Sequence, residues 1–180
     1  HEDHIGAIPY LLKTFNVPVY ATPLTIGLVS GKLKEHNLLG KAKLNTVRPG
    51  DRVKLGCMEV ELIHVNHSIP DAVAVAIHSP AGTVVHTGDF KIDCTPPQGE
   101  LALLSESTNA ERPGYTMTER KVADSFENLF LKAENKRIIV ASFASNINRI
   151  QQIIHCAQRH GRKVAFSGRS MLNYVSIANE

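Results

Sequence analysis

Cysteine is scarce and follows no pairing pattern. The three copies, Cys57, Cys94 and Cys156, are scattered, and no C-x-x-C occurs. Neither a disulfide framework nor a cysteine-based zinc site is therefore expected, and a reducing, cytoplasmic compartment fits best. No run of about 18 apolar residues exists, so no membrane span is expected. Internal repeats and low-complexity tracts are also lacking. What remains is ordinary globular chemistry: 43% hydrophobic and 21% charged residues, outside the composition of disorder. The 180 residues suffice for one domain or two small pieces. No signal peptide is visible; the chain opens inside a motif, so residues before His1 are expected.

The formal charge of +3 is unevenly spread. Residues 1–108 hold 9 Lys/Arg against 11 Asp/Glu, and residues 109–180 hold 11 against 6. The acidic surplus falls among candidate metal ligands, and the basic surplus falls where an anionic partner could bind.

The opening string His1-Glu2-Asp3-His4 crowds three potential metal ligands into four residues. On a loop, His1 and Asp3 point the same way while the adjacent Asp3 and His4 diverge. That pattern suits a loop wrapped around an ion better than a helix, and imidazole with carboxylate is a zinc-binding set. A helix is expected over His4–Phe15, then a short strand at Val17–Ala21. Thr22 followed by Pro23 reads as the cap and first position of a second helix ending by Asn37. Strands are expected at Lys41–Val47 and Asp51–Val65, broken by the Pro49-Gly50-Asp51 turn. Val65-Asn66-His67 ends a strand before a Pro70-Asp71 turn, and Ala72–His78 reads as a strand buried on both faces. Thr83–His86 is a further strand, closing in Thr87-Gly88-Asp89. A second His and a second Asp thus sit just past strand ends, where a rigid sheet can position them. His86 reads as filling its strand end.

The remainder changes character. Strands at Leu101–Leu104, Arg137–Phe143 and Lys163–Phe166 alternate with helices. One helix opens on a capping box, Thr116-Met117-Thr118-Glu119, and another carries Ile147, Ile150, Ile154 and Ala157 and closes at Gly161. This β-α alternation predicts a parallel sheet whose strands end on one edge beside helix N-termini, a natural anion site. Arg149, Arg159, Arg162, Lys163 and Arg169 lie between Ser145 and the last helix, with no acidic residue among them. A Rossmann-like half with a merely solvated basic face is the plainer alternative. Only Phe143 and Phe166 near that edge are available for base stacking. The boundary between the halves is placed near Asn109–Gly114.

Together these strings resemble a family. His1-Glu2-Asp3-His4, then His67, then Asp89 in Thr87-Gly88-Asp89, resemble the ligand series of the metallo-β-lactamase fold, H-x-H-x-D-H followed by a lone His and a bridging Asp. Glu106 in Ser105-Glu106-Ser107-Thr108 resembles the first acidic motif of the β-CASP nucleases. HEDHIGAIPYLL, HSIPDA, HTGDFKID, SESTNAERPG and ASFASNINRIQQ resemble the bacterial ribonuclease J family from end to end of the chain. The fold this implies is α/β: a partial metallo-β-lactamase αββα sandwich over residues 1–108, then the start of a Rossmann-like β-CASP domain over 109–180.

The resemblance implies two zinc ions, with other divalent ions possible: His1 and His67 on one, Asp3 and His4 on the other, and Asp89 bridging. Asp3 and Glu106 are the expected catalytic carboxylates. Ser107, Ser145, Asn146, Arg149 and Arg169 are the expected contacts to single-stranded RNA. The implied activity is 5′-to-3′ exonuclease action with some endonuclease action in RNA maturation and decay, by a homodimer or tetramer, with a place in an RNA-degradation complex. Three departures stand out. The first His of the motif, and the later β-CASP and metal histidines, fall outside the chain, and the passage from Pro96-Pro97-Gln98-Gly99-Glu100 to Leu101 is shorter than in relatives. Two other classes remain. An inactive RNA-binding paralogue is opposed by the presence of Asp3, His4, His67 and Asp89. A hydrolase of small thioesters or lactams is opposed by the basic second half.

Overall fold

The computed structural model describes residues 1–91, 113, 117–134 and 136–179. The chain opens with two short helices, α1 (Glu2–Ile5) and α2 (Ile8–Thr14). They are followed by β1 (Val19–Ala21), α3 (Pro23–Glu35) and β2 (Leu44–Thr46), and β1 pairs with β2 in parallel. Ile5, Leu12, Leu28, Val29 and Leu33 form the core of this layer, with Val19 and Leu44 of the strands packed against it.

Next come β3 (Arg52–Leu55), β4 (Met58–His64), β5 (Val73–Ser79) and β6 (Gly82–His86), an antiparallel sheet in that order. The single strand expected over Asp51–Val65 is in fact the hairpin β3–β4. Its turn is Gly56-Cys57, with Leu55 opposite Met58, and Gly56 at φ +64° takes the left-handed conformation such a tight turn requires. The strand expected to be buried on both faces is β5, but only one face is buried, at Ala74 and Ala76, while Val73, Val75 and Ile77 on the other are half-buried. His86 does close β6.

Thr22 is the N-cap residue of α3 and Pro23 its first residue, as expected, but the Thr22 side chain makes no cap bond. Its hydroxyl donates to Thr25 Oγ1, and the carboxylate of Asp71, from the β4–β5 loop, accepts the Leu24 N–H at 3.1 Å. An acceptor from elsewhere in the chain thus serves an orphan donor of the helix, at the end where negative charge is favoured.

The second half contributes α4 (Glu119–Lys132), α5 (Ile147–Arg159) and α6 (Arg169–Ala178). The α4 N-cap is Thr118, whose hydroxyl accepts from Lys121 N, so the helix starts two residues later than the capping box predicted. Phe130, Cys156 and Ala157 form the α4–α5 seam. α6 turns back onto the first half, where Tyr174 and Ile177 pack on the α3 cluster. The strands expected at Arg137–Phe143 and Lys163–Phe166 carry no strand pairing among the described residues. Parallel strands are stable when covered on both faces, whereas Ile139 and Phe143 here are 88% and 84% exposed. The expected strand at Leu101–Leu104 and the expected boundary at Asn109–Gly114 lie outside the described residues, Pro113 excepted.

Candidate metal centre

Three separate segments bring the candidate ligands together. The first is α1. Instead of a loop, Glu2–Ile5 forms a single helical turn with His1 at the N-cap position. Acidic Glu2 and Asp3 in that turn suit the positive end of the helix, and Glu2 is held by Lys32 of α3 at 2.5 Å. In this turn Asp3 and His4 do not diverge: His4 Nε2 lies 3.5 Å from Asp3 Oδ2.

The second segment is the β4–β5 loop with His67, and the third is the end of β6 with Asp89. Val65, Ala74 and Phe90 form one buried cluster that fixes both loops, and Lys91 N donates to Asn66 O at 2.6 Å. The turn into Asp89 needs glycine at position 88. Its φ is +61°, and a Cβ there would come within 3.0 Å of the Val73 carbonyl oxygen. His86 accepts the Gly88 N–H through Nδ1 at 3.1 Å, which braces the same turn.

Asp89 Oδ2 is where the segments meet. It lies 3.1 Å from His4 Nε2 and 3.9 Å from His67 Nε2. Asp3, His4 and Asp89 each offer a donor atom within 4.8 Å of the others. His1 and His67 are in edge contact, their ring centroids 4.6 Å apart, and His1 Nε2 lies 2.9 Å from Ser68 Oγ. Two donors on one tetrahedral zinc sit roughly 3.3 Å apart, so the His4–Asp89 and His4–Asp3 spacings suit a shared ion without rearrangement. The donor set, imidazole and carboxylate with no thiol, fits a zinc-class divalent cation. The Asp3 side chain is 75% exposed and that of His67 15%, so the cluster opens to solvent on the α1 side.

The expected anion-binding residues fare differently. Asn146 is the N-cap of α5, its Oδ1 accepting from Arg149 N at 3.1 Å. Arg149 grips Glu119 with Nε and Nη2 at 3.0–3.3 Å. Ser145 is half-buried in the turn before α5. Arg169, at the start of α6, keeps its side chain 96% exposed, 3.7 Å from Glu35. Glu106 and Ser107 lie outside the described residues.

Three contributors were not anticipated. Ser68, 7% exposed, orients His1. Asn148 of α5 donates to the His67 carbonyl at 3.2 Å and so ties the second half to the ligand loop. Glu119 joins Lys91, two residues past Asp89, to Arg149. Asn148 and Glu119 act across 81 and 28–30 residues of sequence, so no local pattern could reveal them; Ser68, directly after His67, was the one within reach.

Comparison with known proteins adds a family context. Residues 1–136 match the model of the metallo-beta-lactamase superfamily, and residues 135–180 match that of the ribonuclease J beta-CASP domain. The chain is 44% identical to Ribonuclease J of Thermus thermophilus over 202 aligned residues, covering all of this chain and 35% of that protein. It is 45% identical to Ribonuclease J of Synechocystis sp. and 40% identical to Ribonuclease J2 of Bacillus subtilis, again over the whole chain. The chain thus spans about a third of the length of the relatives it matches. A crystal structure of a protein of unknown function from Enterococcus faecalis V583 superposes with a TM-score of 0.61 over 85% of this chain and 47% of that one, at 18% identity, a likeness of fold alone.

Proposed function

The chain belongs to the metallo-β-lactamase superfamily and, within it, to the ribonuclease J family, and on that premise we propose that it is part of a zinc-dependent ribonuclease acting on single-stranded RNA. The observation that carries this reading is the approach of His4 and His67 to one carboxylate oxygen, Asp89 Oδ2, with Asp3 beside His4. In the proposed assignment His1 and His67 hold one ion, Asp3 and His4 hold a second, and Asp89 bridges them. A divalent metal held by these residues would lower the pKa of water toward about 7 and would supply positive charge to balance a phosphate.

The protein's own part is positioning. The Val65–Ala74–Phe90 cluster and the Gly88 turn hold Asp89 against His67. Ser68 orients the His1 ring. Glu106 is proposed to orient a later histidine that acts on the leaving group. Sequence-independent backbone contacts would come from the basic half. Arg169 is the foremost of these because its guanidinium stands in solvent; Ser107 and Ser145 are proposed as further contacts. Arg149 and Asn146 serve mainly to hold α5 in place. Combined 5′-to-3′ exonuclease and endonuclease action, a cytoplasmic setting, a homodimer or tetramer and a role in an RNA-degradation complex complete the proposal. Among the described residues no helix is long and apolar enough to cross a membrane.

The test is cleavage of single-stranded RNA bearing a 5′-monophosphate by the full-length protein. Cleavage that proceeds from the 5′ end and stops on chelation supports the reading. RNA binding without metal-dependent cleavage would point instead to an inactive RNA-binding subunit. Neither binding nor cleavage would point to a hydrolase of small molecules.

A further inference from the structure

Toward the C-terminal end of α5, the seam between α4 and α5 carries a polar cluster beside its apolar residues. There Cys156 Sγ, a nitrogen of His160 and a carboxylate oxygen of Glu127 lie within 4.8 Å of one another. Cys156 is in the last turn of α5 and His160 is its C-cap, four residues on, so both share one face. Glu127 comes from α4 opposite. His160 Nε2 lies 2.9 Å from Glu127 Oε2, and Arg159 contacts the other Glu127 oxygen. Cys156 is 1% exposed, while the Glu127 and His160 side chains are 32% and 21% exposed, so the cluster is sealed below and open at its rim. One turn before Cys156 on the same face, Gln152 Oε1 is buried without a hydrogen-bond partner among the described residues. None of these residues belongs to the ligand series around Asp89.

We propose that Glu127, Cys156 and His160 form a second, separate metal site, which takes one zinc-class divalent cation and clasps α4 to α5. Thiolate, imidazole and carboxylate are all zinc ligands, and three protein donors leave the fourth tetrahedral position to water. A sulfur donor excludes magnesium and calcium as the natural occupants. Binding releases the Cys156 thiol proton to solvent and replaces the Glu127–His160 hydrogen bond by two bonds to the ion. Thiolate and carboxylate together cancel the ion's two charges, and Arg159, 64% exposed, moves back into water. The absence of a C-x-x-C pair concealed this donor set, because its third member lies on another helix.

Cobalt(II) is the probe, added to the full-length protein. A near-ultraviolet thiolate-to-cobalt absorption band is expected in the wild type. It should persist in Asp89→Ala, whose lesion lies in the other centre, and vanish in Cys156→Ser. Glu127→Gln and His160→Gln keep the thiol and should each weaken cobalt affinity at least about tenfold, since even residues behind a metal's ligands contribute that much. These two variants decide the matter if Cys156→Ser does not fold. No band in the wild type, a band that survives Cys156→Ser, or an affinity unchanged in both other variants would overturn the proposal.

Discussion

Gly27 lies inside α3, where alanine would ordinarily stabilise by about 1 kcal/mol through helix propensity. The docking of α6 reverses that expectation. A Cβ at position 27 would lie 2.4 Å from Ile177 Cγ2 and 3.7–3.8 Å from two further Ile177 atoms. Carbon atoms pack at about 3.5–4.0 Å, so the overlap with that methyl exceeds about 1 Å. Ile177 is β-branched and sits in the last turn of α6, where one χ1 rotamer dominates. Relief must therefore come from movement of α6 itself. Overpacking of this kind costs about 1–3 kcal/mol, so Gly27→Ala should be neutral to about 2 kcal/mol destabilising. In an Ile177→Ala background the same change should stabilise by about 1 kcal/mol. The cycle of four proteins, followed by urea unfolding, should give a coupling of about 1–3 kcal/mol. Stabilisation by about 1 kcal/mol in both backgrounds would refute the packing of α6 on α3, and with it one of the ties between the basic half and the ligand-bearing half.

Three further outcomes are expected. Glu119, 12% exposed, holds Lys91 and Arg149, which are 40% and 26% exposed. Glu119→Gln should cost about 1–3 kcal/mol in urea unfolding, below the figure for a fully buried pair because both cations reach water; a loss under about 0.5 kcal/mol would contradict the network. Hydrogen bonds from His78 and His160 hold the Glu61 and Glu127 carboxyls below the ordinary 4.5. The unfolded chain then binds more protons than the folded one just below that value. Their stabilisation is complete above pH 4.5 and is lost as pH falls through the folded values. Glu61→Gln and Glu127→Gln should each flatten the acid limb of the stability profile, and an unaltered limb would contradict these pairings. Finally, Cys57 is exposed and Cys156 buried with a raised thiol pKa. Under native conditions iodoacetamide should modify Cys57 readily and reach Cys156 only on unfolding; equal rates at the two would contradict the α4–α5 seam.

The candidate ligands were more legible than the scaffold that holds them. His67 and Asp89 each follow a strand whose alternation or apolar run is a local signal, and the structure brings both to one point. α1 departs from the loop expected at His1–His4 because Glu2 and Asp3 suit the positive end of a one-turn helix and Lys32 holds Glu2 in it. The β3–β4 hairpin was missed because a lone glycine, Gly56, carries the whole turn. The role given to Arg149 illustrates a general limit: a basic residue at a helix N-terminus reads as an anion ligand until its partner is known, and Glu119 lies 30 residues away. In the same way Asn146 supplied the helix cap its position predicts, which occupies the side chain assigned to RNA. The expected strands at Arg137–Phe143 and Lys163–Phe166 have the right composition, but pairing depends on neighbours and on cover for both faces.

The most direct test of the central claim is metal analysis of the full-length protein and its Asp89→Ala variant, with RNA binding and cleavage measured on the same samples. The wild type should carry zinc at the Asp89 centre, and the variant should lose metal there together with at least about 100-fold in cleavage while still binding RNA. Cleavage undiminished in a variant that has lost that metal would contradict the reading of Asp89 as the bridge of a metal-dependent nuclease.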